Sequence, residues 1–299
     1  MNKLAFIGLG NMGGGMAANL AKSGAEVAAF DISATALEKA RTAGCAVAAS
    51  AAEAVKDADA VITMLPAGQH VRLVYHDEVL PNAKQGALLI DCSTIDIDST
   101  RRAAESADKL GFRFADAPVS GGVAAAEAGT LAFMVGCADA DFADVEATLK
   151  PMAKAVIHAG GTAAGQSAKI CNNMLLGISM LGVAEAFALA EKLGLAPERF
   201  FEIASASSGQ CWSLTSYSPW PGLVPTSPAN RGYNGGFHTA LMLKDLKLAQ
   251  AAAAQVGATT PMGAQAEALY ALFDNLGFGG KDFSAVLQLM RGKLGELGH

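Results

Sequence analysis

Short apolar runs and amphipathic stretches alternate along the first 160 residues. Residues 3–8, 26–31, 60–64 and 87–91 are compact runs of Ala, Val, Ile, Leu and Phe that read as strands. Between the first of them, residues 12–23 and 34–43 carry apolar positions at helical spacing. Residues 112–117, 131–136 and 155–158 add further strands. Strands alternating with helices at this interval predict a parallel sheet covered on both faces. The pattern then changes. From residue 164 to 193 small and apolar residues keep helical spacing until Gly194, a length that predicts a helix crossing between two domains. Residues 197–205, 241–256, 260–276 and 283–294 also read as helices. The Gly-, Pro-, Ser- and Trp-rich stretch 205–236 is long for a loop in a compact domain, which points to function.

The turn after the first strand is G-L-G-N-M-G, with glycines at Gly8, Gly10 and Gly13. The first glycine permits the tight turn, the second lets backbone approach a pyrophosphate, and the third lets the helix pack on the strand. Backbone N–H groups from Asn11, Met12 and Gly13, entering the helix, would receive phosphate. Asp31, 23 residues beyond Gly8, ends the second strand, where a carboxylate accepts from ribose hydroxyls and repels a ribose phosphate. The expected fold is therefore a Rossmann-type α/β nucleotide-binding domain over residues 1–163, followed by an all-helical domain over 164–299. The expected cofactor is NAD, favoured over NADP; FAD uses the same device. Leu65 and Pro66 in T-M-L-P, and Ser93 and Thr94 in D-C-S-T-I, also follow strands, where loops line the ligand crevice of an open α/β sheet.

Three further stretches carry candidate chemistry. D-A-P-V-S-G-G places Ser120, Gly121 and Gly122 in a turn after a strand; a hydroxyl and exposed N–H groups there suit a carboxylate, although composition alone would fit an ordinary turn. A-K-I-C-N-N puts Lys169 and Asn173 four apart, on one helix face, while Asn172 points elsewhere. Such a lysine can simply be solvated or snorkel; bordering a cleft, it could relay a proton while the asparagine fixes a hydroxyl. An ordinary lysine, with a pKa of about 10.4, is a poor base near neutrality, so it would need desolvation or a neighbouring positive charge. L-M-L-K-D-L-K-L-A supplies Lys244 and Asp245, with Lys247 as a rival. Trp212 either walls a pocket or belongs to the core, and His238 reads as a helix-start residue.

Composition narrows the classes. The chain has 299 residues, 52% hydrophobic and 17% charged, enough to fill two cores. Its formal net charge of −6 gives no electrostatic reason to expect nucleic acid or an anionic membrane. The five cysteines are scattered without metal-ligand or redox spacing, which fits a reducing compartment, the cytoplasm, and no metal site. Glycines interrupt the apolar N-terminal run, against a signal peptide, and no unbroken apolar run reaches the roughly 18 residues of a membrane span.

Taken together, these motifs resemble the β-hydroxyacid dehydrogenases along essentially the whole chain. S-S-G-Q-C-W at 207–212, Y-S-P-W-P-G at 217–222 and Y-N-G-G-F at 233–237 resemble a member acting on a short, methyl-branched 3-hydroxyacid. The resemblance implies that Lys169 is the general base of alcohol oxidation and that Asn173 helps hold the substrate. It implies that Ser120, Gly121 and Gly122 hold the carboxylate, that Trp212 shapes the pocket, and that Lys244 lies near the cofactor. It also implies a homodimer or homotetramer. The alternatives are a relative acting on serine, 3-hydroxypropionate or tartronate semialdehyde, and a non-catalytic NAD(P)-binding sensor or scaffold. Ala163 stands where relatives often carry glycine, which puts the local backbone in question.

Overall fold

The computed structural model describes residues 2–298. By compactness the chain divides into two units, with the division between Lys169 and Ile170. The first unit is built on strands β1 (Lys3–Ile7), β2 (Glu26–Phe30), β3 (Ala46–Val47), β4 (Ala60–Thr63), β5 (Leu88–Asp91), β6 (Arg113–Asp116), β7 (Val119–Ser120), β8 (Leu131–Gly136) and β9 (Ala153–Gly160). Helices α1 (Gly13–Lys22), α2 (Ala34–Thr42), α3 (Ala51–Val55), α4 (Gly68–Val74), α5 (Ile97–Asp108), α6 (Gly122–Ala128) and α7 (Phe142–Leu149) connect them.

The strands join one sheet in the order β3-β2-β1-β4-β5-β6-β8-β7, with β9 paired to β8. The pairs from β3 to β6 are parallel. Beyond them the expectation of a parallel sheet needs correction, because β8 runs antiparallel to both β6 and β7. The cause is local: β6 and the two-residue β7 are separated only by Ala117 and Pro118, and α6 then returns the chain into β8. Apolar side chains fill both faces of the sheet. Phe6, Met16, Leu20, Ile62 and Phe133 lie in one core; Ile7, Val61, Tyr75, Leu89 and Phe114 lie in the other. Chain order reverses between β1 and β4, so the loops after these two strands flank the switch point where such sheets bind ligands.

Helix α8 (Ala164–Lys192) begins in the first unit and continues into the second. Its mean hydropathy of 1.6 over 18 residues would satisfy a membrane-span test by length and composition, although no unbroken apolar run of that length exists. The composition is that of a core helix: Met180, Leu181, Val183, Ala184 and Phe187 are buried in the second unit. There they pack with Met242 and Leu246 of α11 (Thr239–Val256) and Tyr270 and Phe273 of α12 (Pro261–Phe273). Helices α9 (Pro197–Ser205), α10 (Trp212–Thr215) and α13 (Val286–Arg291) complete the unit. The single helix expected over 283–294 is broken. A short 3₁₀ turn, Phe283–Ala285, precedes α13, because the Asp282 side chain caps it by accepting from Ser284 N–H at 3.0 Å. Gly292, at φ +68°, then ends α13.

The loop between α9 and α11 is held by a buried acid. Asp282 accepts from Tyr217 Oη at 2.8 Å and from Phe237 N–H at 2.7 Å. Burial pushes the Asp282 carboxyl up, against these donated hydrogen bonds. Tyr217 stacks against Trp212 with ring centroids 4.8 Å apart. Nothing in hydrophobic periodicity could have located this organisation, since Tyr217 and Asp282 lie 65 residues apart.

Candidate active site

Gly8 and Gly13 of the glycine-rich turn have the steric roles expected of them. Gly8 sits at φ +94°, and an added Cβ would fall 2.3 Å from the Met64 carbonyl oxygen. A Cβ on Gly13 would meet the Gly8 carbonyl oxygen at 1.9 Å, so only glycine lets α1 start this close to β1. At Gly10 an added Cβ meets nothing within 4 Å, leaving the open approach a phosphate requires. Gly10 and Asn11 are exposed, and Met12 stands at the N-cap of α1.

Asp31 lies just past β2, as expected, and does more than await a ribose. Its carboxylate accepts from Leu9 N–H at 2.6 Å and from Ser33 N–H at 2.7 Å, so it ties the glycine turn to the β2 end. Each oxygen keeps a lone pair for a further donor. Sequence reasoning overlooked its neighbour Ile32, which is 98% exposed. An aliphatic side chain there offers apolar cover and no cation for a ribose phosphate.

The loops after β4 and β5 are joined. Leu65 N–H donates to Ser93 Oγ at 2.8 Å, and Ser93 Oγ donates to Asp91 Oδ1 at 2.6 Å. Thr63 donates to the same oxygen at 2.8 Å. Burial pushes the Asp91 carboxyl up, opposed by these hydroxyl donors. Pro66 is exposed, while Leu65 and Thr94 are half-buried at the loop surfaces. Ser120 ends β7, and Gly121 and Gly122 follow at φ +137° and +71°. A Cβ on Gly121 would come 2.6 Å from that of Ala125, so the turn requires glycine there.

The start of α8 is capped from outside the helix. Asp116, at the end of β6, accepts from Ala163 N–H at 2.7 Å and Gln166 N–H at 2.8 Å. Two orphan donors of the first turn are thereby satisfied by a side chain distant in sequence. Ala163 itself adopts φ +69°, the left-handed conformation that favours glycine, so the question raised by that alanine has a definite backbone cause. Burial holds the Asp116 carboxyl up at about 6, against the two donated N–H bonds, and neighbouring Asp91 adds to the rise.

Lys169 and Asn173 follow on one face of α8, 7% and 2% exposed. Asn173 Nδ2 donates to Asp245 Oδ2 at 2.5 Å, and its Oδ1 accepts from Asn172 Nδ2 at 3.0 Å. The reading of Asn172 as pointing elsewhere is corrected: it directly precedes Asn173, and its amide reaches forward to that neighbour's side chain. Lys244 Nζ lies 3.4 Å from Asp245 Oδ1, so Lys244, Asp245, Asn173 and Asn172 form one polar cluster. Trp212 does not belong to a core; it is 51% exposed, with one face stacked on Tyr217. His238 is the residue before the first turn of α11, as its position suggested.

Family comparison agrees with this layout. Residues 3–161 match the NAD binding domain of 6-phosphogluconate dehydrogenase. Residues 163–290 match a domain described as the NAD-binding of NADP-dependent 3-hydroxyisobutyrate dehydrogenase. A Pseudomonas aeruginosa 3-hydroxyisobutyrate dehydrogenase is 49% identical over 297 residues, covering 98% of this chain and 100% of its own length. The chain belongs to the 3-hydroxyisobutyrate dehydrogenase family. A second P. aeruginosa relative, an NAD-dependent L-serine dehydrogenase, is 46% identical over 97% of this chain and 98% of its own length. The solved Mycobacterium tuberculosis 3-hydroxyisobutyrate dehydrogenase with L-serine superposes with a TM-score of 0.94 at 48% identity, covering 97% of this chain and 99% of that one. Membership of this family makes the chain an oxidoreductase with NAD as its cofactor, and the first unit carries the residues that fit it: the Gly8–Gly10–Gly13 turn and Asp31.

Proposed function

We propose that this dehydrogenase oxidises 3-hydroxyisobutyrate to methylmalonate semialdehyde, a step of valine degradation, with Lys169 as the general base. The observation that carries the base assignment is the pairing of a buried lysine with a buried, hydrogen-bonded asparagine one turn on. Ser120 Oγ and the N–H groups of Gly121 and Gly122 hold the substrate carboxylate. Lys169 Nζ, neutral at that moment, takes the hydroxyl proton as the C–H electron pair leaves the same carbon as hydride. Bound NAD supplies the hydride acceptor, so the products are the aldehyde, NADH and one proton held on Lys169. Asn173, fixed by Asp245 and Asn172, retains an N–H for the substrate oxygen. The family resemblance assigns Trp212 to shaping the pocket around the methyl-bearing carbon, and Lys244 to the cofactor. Leu65, Pro66 and Thr94, in the loops after β4 and β5, would line the nicotinamide side of the bound cofactor.

Association into a homodimer or homotetramer in the cytoplasm completes this reading. Among the described residues of the second unit, eleven large apolar side chains are exposed, including Leu175, Leu189 and Val256, surface that pairing would cover.

A second reading, oxidation of L-serine, is favoured by the serine dehydrogenase relative and by the serine-bound mycobacterial structure. Serine places an ammonium where 3-hydroxyisobutyrate has a methyl. Initial rates with 3-hydroxyisobutyrate, L-serine, 3-hydroxypropionate and tartronate semialdehyde, each assayed in its reactive direction with NAD(H) and NADP(H), decide between them. The proposal expects the highest kcat/KM for 3-hydroxyisobutyrate with NAD. A higher kcat/KM for L-serine replaces the substrate assignment, and absence of turnover with all four favours a sensor or scaffold.

A further inference from the structure

The first turn of α8 is fastened to the β5 loop by one side chain that no proposed catalytic step uses. Gln166 is fully buried. Its Nε2 donates to the Ser93 carbonyl oxygen at 2.6 Å, and its Oε1 accepts from Ile95 N–H at 3.2 Å. The carboxamide therefore straddles Thr94, gripping the backbone on either side of it. Its own backbone N–H donates to Asp116. On the loop side the connection continues through Ser93 Oγ to Leu65 N–H. The helix start is also seated directly on the sheet: a Cβ on Gly165 would fall 2.2 Å from the Met134 carbonyl oxygen and 2.8 Å from that of Asp116. Lys169 stands three residues, just under one turn, beyond Gln166.

We infer that Gln166 is a positioning residue for the oxidation: its carboxamide sets the register of Lys169 against the Thr94 and Leu65 loops. The inference rests on the assignment of Lys169 as base. A carboxamide suits the task because it donates to a carbonyl and accepts from an N–H at the same time. Leucine has similar bulk and does neither. Glutamate matches glutamine in shape, donates only when protonated, and when ionised sets a negative oxygen against the Ser93 carbonyl.

Gln166→Leu and Gln166→Glu in the full chain, assayed with 3-hydroxyisobutyrate and NAD beside Lys169→Ala, provide the test. Misplacing the base by a fraction of its reach should lower kcat of the leucine variant by about 10- to 100-fold. The primary deuterium isotope effect on kcat should rise, and the NAD dissociation constant should stay within about threefold, because the glycine turn and Asp31 are untouched. For the glutamate variant, the ratio of its kcat to that of the wild type should climb as pH falls and the buried carboxyl takes up its proton. A folded leucine variant with kcat within about twofold of wild type overturns the inference, as does a glutamate ratio that is flat with pH. If the leucine variant does not fold, the glutamate ratio decides alone. An active Lys169→Ala overturns the base assignment itself; an inactive one beside a fully active Gln166→Leu overturns only the positioning role.

Discussion

Lys169→Ala should lower kcat by about 10²- to 10⁴-fold, the range a positioned proton acceptor supplies, while NAD binding stays near that of the wild type. The separation follows from where the two functions reside. The Gly8–Gly13 turn and Asp31 form their contacts at the ends of β1 and β2, whereas Lys169 enters through the second turn of α8. Lys169→Arg sharpens the result. Arginine keeps a positive charge and a long side chain, but its guanidinium does not lose a proton at any working pH. If Lys169 served only to attract the carboxylate, arginine would restore turnover. As a base, it should leave the enzyme as inactive as alanine does. NAD titration calorimetry and steady-state rates on the three proteins check both halves; an arginine variant with near-normal kcat would sink the proton-transfer role.

The second large effect concerns Asp116. Its carboxyl is held at about 6 in the folded chain, against an ordinary value of 3.8. Burial raises it, and the two N–H groups of the α8 start only partly offset the rise. The folded state thus holds this proton more tightly than the unfolded state does. The stability this contributes is fully present below about pH 4 and is lost as pH rises through about 6. A carboxyl raised this far corresponds to about 3 kcal/mol. Asp116→Asn removes the titration and keeps one acceptor for the helix start. The unfolding free energy of the wild type minus that of Asp116→Asn should therefore fall by about 3 kcal/mol between about pH 4 and pH 7. Urea unfolding of both proteins across that range measures it; a difference that is flat or grows with pH contradicts the account. The carboxylate is thus retained at neutral pH despite its cost. What it provides is two acceptors in one rigid group, placed where Ala163 and Gln166 need them.

The contrast between Lys169 and its supporting residues explains how much of the molecule was legible in the sequence. Glycine spacing, the acid after the second strand, and a lysine and asparagine four apart are local patterns with a direct steric or chemical meaning. The tight turn at Gly8 and the close helix start at Gly13 follow that meaning in the structure. So do the alternation of strands and helices through β5 and the long run of α8. Asp116, Gln166 and Asp282 were invisible in their supporting roles because their partners are remote: Asp116 bonds across 47 and 50 residues, and Gln166 across 71 and 73. Hydrophobic periodicity carries no information about a buried polar pair, since each partner merely interrupts it. The antiparallel turn of β7 and β8 was hidden for another reason. Two residues of β7 are too few to show any alternation.

Hydride transfer from the hydroxyl-bearing carbon of a short 3-hydroxyacid to NAD is the reaction on which the residue roles above depend. The most direct test is to incubate the protein with NAD and 3-hydroxyisobutyrate dideuterated at that carbon, and to weigh the reduced cofactor by mass spectrometry. The expected product is NADH carrying one deuterium, formed together with a deuterated aldehyde. NADH without deuterium, or no NADH from a protein that binds NAD, would contradict it.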